Sequence, residues 1–322
     1  MIEVEHLSKV YGTASAIADV TFSVEPGEIL GFLGPNGAGK TTTMRILSGY
    51  LPATTGTAKV AGYEVHQDSM AVRSRIGYLP ETPPLYPDMT VEGFLHFVAR
   101  IKGVNAGDRA AKVKAALAKT SLMERRTSLI RKLSKGYRQR VGIAQAIVHD
   151  PPVIILDEPT VGLDPRQIIE VRNLIKNLAG SHTVILSTHI LPEVSMTCNR
   201  VAIIHQGRVV ATNTPDQLMA HRAGGAGYEL EVEGSLEEAQ RVLQSVAGVQ
   251  DVKPVNTELP EGFCRVRVIG TDGALMGRSL AGAIVGSGLG LLEMRRMQAS
   301  LEDVFLQLTM EDITPDEADG ET

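Results

Sequence analysis

At 322 residues the chain is long enough for two domains, because single hydrophobic cores stop growing near that length and split. Hydrophobic residues at 43% and charged ones at 21% are ordinary globular usage, which argues against disorder and against residence in a membrane. The formal net charge of −5 speaks against a nucleic-acid partner, which needs a basic face to neutralise phosphates.

The N-terminal run MIEVEHLSKVYG alternates apolar and polar residues without the basic region and apolar block of a signal peptide, so a cytoplasmic protein is expected. Strand character appears at Ile2 to His6, Val20 to Val24 and Ile29 to Leu33, followed by a glycine loop and an amphipathic helix to about Ser48. From Leu85 to about Ile147 the pattern is helical, with Phe94, Phe97, Val98 and Ile101 at one-face spacing and Val113 and Leu117 repeating it. Apolar strands return at Val153 to Leu156, Thr183 to Ser187 and Val201 to Ile204; separated by helices, they fit a parallel sheet buried on both faces.

The glycine-rich AGGAG at 223–227 reads as a linker closing a first domain at 1–222, with a helical subdomain at about 85–150. Beyond it the order is strand, helix, strand, strand, helix, strand, which is that of a ferredoxin-like split unit; this predicts a small α/β accessory domain at 228–310. Its nearly apolar stretch from Leu280 to Leu292 is glycine-rich and well short of the ~20 residues of a membrane span. Ser300 opens a last helix with the capping box SLED, and the acidic end at 311–322 reads as disordered. Cys198 and Cys264 have neither metal-ligand spacing nor disulfide density, and read as packing residues.

Three segments carry chemistry. GPNGAGKTT at Gly34 to Thr42 (Gly34, Pro35, Asn36, Gly37, Ala38, Gly39, Lys40, Thr41, Thr42) satisfies G-x-x-x-x-G-K-[ST] between a strand and a helix, the context a phosphate-cradling loop needs. Glycines let consecutive N–H groups converge on phosphate oxygens and the helix adds its positive end; Lys40 brings a charge to the β- and γ-phosphates of ATP, and the Thr41 hydroxyl is a ligand for Mg²⁺. In VIILDEPT, Asp157 ends a buried strand, an expensive place for a carboxylate unless a cation such as Mg²⁺ waits there. Glu158, one residue on, can polarise the water that attacks the γ-phosphate. His189 in STHI follows the next strand of the same sheet; a lone histidine there is often structural, but open α/β sheets bind ligands at the carboxyl ends of their strands.

These motifs, in this order, resemble the ATP-binding subunits of ABC transporters from Ile2 to about Leu218. The deciding element is LSKGYRQR at Leu133 to Arg140, which is similar to the family signature LSGGQ. The resemblance implies an α/β, RecA-like P-loop core, ATP hydrolysis with Mg²⁺, and a two-subunit ATP sandwich in which Ser134 and Gly136 contact the γ-phosphate held by the opposite subunit. A serine that caps a helix and leaves free N–H groups suits an anion, although an ordinary capped helix would account for Ser134 alone. Tyr11 falls where the family stacks a ring on adenine, and Gly162, Leu163 and Asp164 match the loop through which subunits sense each other. Two departures stand out: Lys135 and Tyr137 replace the signature's glycine and glutamine, and Glu81 replaces a glutamine that the family uses near the metal. Glu81 can still ligate Mg²⁺ but adds negative charge beside the phosphates.

YLPE, LSKGYRQRVG, ILSTHI and the closing SLEDVF look most like ABC-2 exporter ATPases, in particular the gliding-motility type. The resemblance thus implies a homodimer, or a pair with a similar subunit, at the cytoplasmic face of the membrane, serving an integral membrane permease and no nucleic acid. Two other readings stand beside it: an importer ATPase whose accessory domain senses a ligand, and a soluble ABC ATPase outside transport.

Overall fold

The computed structural model describes residues 1–222, 227–255, 259–260, 262–270, 273–297 and 301–310. The linker, apart from Gly227, Ser300 at the head of the capping box and the tail at 311–322 lie outside the described residues. The chain forms two compact units, Met1–Pro215 and Asp216–Thr322. The division falls after Pro215, the first residue of the helix Pro215–Arg222, whereas the glycine-rich stretch after Arg222 suggested a later boundary.

The first unit begins with β1 (Ile2–Tyr11), β2 (Ala14–Val24), β3 (Ile29–Leu33) and α1 (Lys40–Leu47). Then come β4 (Thr55–Val60), β5 (Tyr63–Glu64), α2 (Ser69–Arg75) and β6 (Ile76–Leu79). The helices α3 (Val91–Ile101), α4 (Arg109–Lys119) and α5 (Lys135–Ile147) follow. The unit closes with β7 (Val153–Asp157), α6 (Pro165–Lys176), β8 (Thr183–Thr188), α7 (Leu191–Thr197), β9 (Arg200–His205) and β10 (Arg208–Asn213).

Its main sheet runs β10-β9-β3-β8-β7-β6, parallel from β9 to β6 with β10 antiparallel at the edge. The apolar runs predict this: Val153 and Ile155 of β7 enter one hydrophobic core while Ile154 and Leu156 enter another, so the strand is buried on both faces. One core joins the sheet to α3, α4 and α5, through Phe94, Leu95, Val113 and Leu117 among others. The other joins it to a second, antiparallel sheet, β2-β1-β4-β5, through Ile2, Val4, Val20 and Phe22. Each such side chain contributes about 1.5–3 kcal/mol when fully buried. Helix α3 starts where Thr90 Oγ1 accepts from the Gly93 amide at 3.1 Å. It buries Phe94 and Val98 as the spacing requires, but leaves Ile101, at its last turn, 65% exposed.

In the second unit, α8 (Pro215–Arg222) precedes β11 (Gly227–Glu233), α9 (Leu236–Gln244), β12 (Val249–Pro254), β13 (Phe263–Gly270), α10 (Gly273–Gly286), β14 (Gly290–Met297) and α11 (Leu301–Met310). The sheet order β12-β13-β11-β14, antiparallel throughout, is the ferredoxin-like arrangement that the element order predicts. Strict alternation along β13 sends Cys264, Val266 and Val268 into a core with Leu243 of α9 and Leu280 of α10. The opposite face pairs Arg265 with Glu231 and Glu229, which fits an antiparallel sheet with one polar side.

Gly77 sets how closely α5 approaches β6: a Cβ there would stand 2.0 Å from the Ala146 carbonyl oxygen. Gly77→Ala is therefore expected to destabilise the first unit by about 1–3 kcal/mol in denaturant melts. At Gly107, where a Cβ meets nothing within 4 Å, the same change should cost less than about 0.5 kcal/mol. Equal melts for the two variants would refute this reading of the β6–α5 contact.

Candidate active site

Strands β3, β6, β7 and β8 end on one edge of the parallel sheet, and the functional side chains come from the segments leaving them. The loop after β3 is shaped by glycines that nothing else could replace. Gly39 caps α1 with φ of 104°, and a Cβ there would lie 2.4 Å from Ile17 Cγ2; at Gly34 it would lie 2.4 Å from the Ile204 carbonyl oxygen. Gly37, with φ of 83°, borders open space. The amides of Gly39, Lys40 and Thr41 have no hydrogen-bond partner among the described residues, which leaves them free for an anion.

Lys40 is buried, and its Nζ donates to the carbonyl oxygens of Gly34 at 2.8 Å and Pro35 at 3.1 Å. It also stands 3.4 Å from Glu158 Oε1, an ion pair withdrawn from water on both sides. Glu158 adopts φ of 50°, a left-handed conformation unusual for a residue without glycine's freedom, and its amide donates to the Ser187 carbonyl at 2.9 Å. His189 Nδ1 reaches both Glu158 carboxylate oxygens at 3.0 Å, which calls for a proton on Nδ1.

Asp157 is completely buried. Its Oδ1 accepts from Ser187 Oγ at 2.8 Å, while Oδ2 has no hydrogen-bond partner. Burial pushes its pKa up; the Ser187 and Thr41 hydroxyls pull the other way, and the charges of Glu158 and Glu81 push it further up. A buried carboxylate oxygen without a partner, beside the Thr41 hydroxyl and the exposed Glu81, is the all-oxygen donor set that a hard divalent cation takes, so Thr41, Asp157 and Glu81 suit Mg²⁺.

A cavity of about 440 Å³ brings together Asn36, Gly37, Gly39, Lys40, Thr41, Thr42, Glu81, Glu158 and His189, with Ala16 and Val161 completing its wall. Gly34, Pro35 and Ala38 form the back of the loop and Asp157 lies beneath it, none of them lining the cavity. Tyr11 also stands apart: it is 47% exposed at the end of β1, its ring centroid 5.4 Å from Lys9 Nζ. Ser134 caps α5 by accepting from the Tyr137 amide at 3.4 Å, and Gly136, tight against Gln167, lines a different cavity of about 250 Å³. Sequence reasoning missed four polar residues under the site. Ser187 holds Asp157, and Glu193 on α7 accepts hydrogen bonds from both Thr160 and Thr188. Ser187 and Thr188 lie in the strand pattern and Thr160 in DEPT, but Glu193 carries no motif.

A parallel sheet with a phosphate loop, an aspartate and a glutamate at strand ends defines a P-loop nucleoside triphosphatase. The ABC transporter family profile matches residues 17–161. The chain is 32% identical to the linearmycin resistance ATP-binding protein LnrL of Bacillus subtilis (strain 168), over 96% of this chain and 98% of that one. It is 38% identical to the Nod factor export ATP-binding protein I of Paraburkholderia xenovorans (strain LB400), over 69% and 74%. A solved ATP-binding subunit of an ABC transporter superposes with a TM-score of 0.63 at 33% identity, covering 69% of this chain and 92% of its own. This chain belongs to the ABC transporter ATP-binding family, and it is an ATPase that hydrolyses ATP in transport.

The raised pKa of Asp157 has a sign that can be measured. The folded protein holds that proton more tightly than the unfolded chain, so stability falls as pH rises from the ordinary carboxylate range through the raised value, and is then level. With nucleotide and metal removed by chelator, Asp157→Asn should escape this loss and melt higher than the parent at neutral pH, by about 1–3 kcal/mol. The advantage should shrink in acid. An advantage that is the same at every pH, or no advantage, would contradict the account.

Proposed function

We propose that the chain is one half of a two-subunit ATP sandwich that drives a separate ABC-2 type membrane permease, in export. The observation carrying this reading is the separation of two half-sites: Ser134 and Gly136 do not line the cavity that Lys40, Glu158 and His189 share. A second copy, or a similar subunit, would supply the signature in trans, and two-fold symmetry would bury two ATP molecules. Within each site the loop amides, Lys40 and Thr42 hold the triphosphate, and Tyr11 stacks on the base. Glu158 orients and deprotonates the attacking water; His189 steadies Glu158 and faces the γ-phosphate. Mg²⁺, held by Thr41, Asp157 and Glu81, would neutralise charge that develops on the phosphates.

Export is supported by what the relatives are named for: Nod factor export, bacitracin transport and daunorubicin resistance. The variants YLPE, LSKGYRQRVG and ILSTHI support the gliding-motility type within that class. No helix among the described residues is long and apolar enough to cross a membrane, which agrees with a peripheral subunit at the cytoplasmic face. The permease would dock at the cavity of about 560 Å³ that Glu81, Pro83, Leu85 and Pro87 line beside the phosphate site. The ferredoxin-like unit is an accessory domain outside the catalytic core.

Two measurements test the reading. Glu158→Gln should bind ATP as the parent does yet turn over about 100-fold more slowly or worse, and accumulate as an ATP-bound dimer; near-parental hydrolysis by the purified variant would remove Glu158 from the role of base. Lys40→Ala and Ser134→Arg should each be nearly inactive alone, because every site of either homodimer carries the lesion. Mixing them leaves one intact site per heterodimer, so hydrolysis should return. If it does not, a crosslink between Ser134→Cys of one subunit and Gly37→Cys of the other separates coupled sites from a wrong assignment, since it forms between chains and with ATP only when the signature docks in trans.

A further inference from the structure

Glu193 is a carboxylate in an unexpected place. It is 2% exposed, on the short helix α7, and no cation pairs with it among the described residues. Its Oε1 accepts from Thr160 Oγ1 and its Oε2 from Thr188 Oγ1 at 2.9 Å. Both hydroxyls are themselves buried, so each bond is made away from competing water.

The two threonines sit on either side of the reacting pair. Thr160 follows Glu158 by one intervening residue, and Thr188 immediately precedes His189. Thr188 Oγ1 also accepts from the Ile190 amide at 3.1 Å, which fixes the turn that presents His189. Glu158 keeps its left-handed backbone only because its surroundings impose it, and one of the clamps on that segment is Thr160. The carrier helix is seated just as firmly. A Cβ on Gly31 would stand 2.9 Å from both Val194 Cγ1 and Cys198 Sγ, so α7 lies directly against β3, the strand that feeds the phosphate loop.

A brace needing only bulk could be apolar, and burying an unpaired negative charge is costly. What the charge adds is two strong, directional hydrogen bonds converging on one side chain from two strand ends. We propose that Glu193 is a positioning residue that ties the segment after β7 to the segment after β8 and so fixes the distance between Glu158 and His189. It does not line the phosphate cavity, so it acts through those two residues rather than on the nucleotide. The inference rests on the roles proposed for Glu158 and His189.

The test uses the full chain, with steady-state Mg·ATP hydrolysis for turnover and a fluorescent N-methylanthraniloyl ATP for affinity. Glu193→Ala should lower kcat by about 10- to 100-fold, as small misplacements of reacting groups do, and leave the affinity unchanged. The loss should not compound with His189→Ala: the double variant should be no slower than the slower single one. Glu193→Gln, which keeps one of the two acceptors and loses the charge, should recover part of the rate. Multiplicative losses, or a fall in affinity matching the fall in kcat, would overturn the proposal in favour of a purely structural role. Should Glu193→Ala fail to fold, Thr160→Val and Thr188→Val decide the matter, since each should slow turnover and parental rates in both would overturn the brace. Glu158→Gln is run alongside: if it hydrolyses ATP at the parental rate, the role assigned to Glu158 fails, whatever Glu193 does.

Discussion

Three carboxylates are buried at the carboxyl edge of one parallel sheet, and one ammonium answers them. Asp157, Glu158 and Glu193 are 0%, 6% and 2% exposed, and Lys40 at 6% is the buried cation among them. Removing such charges from water costs several kcal/mol each unless pairing and hydrogen bonds compensate, so the chain surrounds them with hydroxyl donors: Ser187, Thr160 and Thr188. What is left over is negative charge with an unfilled oxygen, Asp157 Oδ2. Much of the local structure follows from that imbalance. β7 is apolar up to Asp157 and β8 is apolar from Val184 to Leu186 before Ser187 and Thr188, and Lys40 is folded back onto its own loop and Glu158.

A two-subunit sandwich, as proposed, would complete the geometry around the γ-phosphate that one chain leaves open. Lys40 and the loop amides come from one stretch of chain, whereas Ser134 and Gly136 open α5 and do not line the cavity that Lys40 lines. Lys135, in place of a signature glycine, lies against the neighbouring loop of its own chain: a Cβ on Gly162 would stand 1.9 Å from its Nζ. Glycine at 162 is favoured by its φ of 70°, while the flexible end of Lys135 could move aside for a Cβ. The departure from the family pattern thus places the Lys135 side chain against the loop at Gly162.

What was legible in the sequence was whatever depends on neighbours in sequence. The phosphate loop is a local pattern whose glycines answer backbone demands, and Asp157 and Glu158 are marked by the apolar strand they end. The ferredoxin-like unit could be read because its alternation and helix periods are regular and the sheet order follows from them. The antiparallel sheet β2-β1-β4-β5 went unread as a separate layer, since the pairing that closes it joins β1 to β4 across β2, β3 and α1, β5 is only two residues long, and β6 is only four residues with a glycine among them. Glu193 was invisible for a different reason. A glutamate in the first turn of a helix ordinarily faces water, and only the threonines from two other segments make this one internal.

Glu81 shows how one substitution reaches across this arrangement. A glutamine there would be neutral; the carboxylate adds a further negative charge to a cavity already short of cations, and it raises the pKa of Asp157. The added charge strengthens the hold of Asp157 on its proton, and a divalent cation taken by the same oxygens would gain from it too. Glu81 and Val161 also border the adjacent cavity, where Pro83, Leu85 and Pro87 form the apolar part of the wall. Glu81 is thus a wall residue of both cavities, and from there its charge acts on the pKa of the buried Asp157.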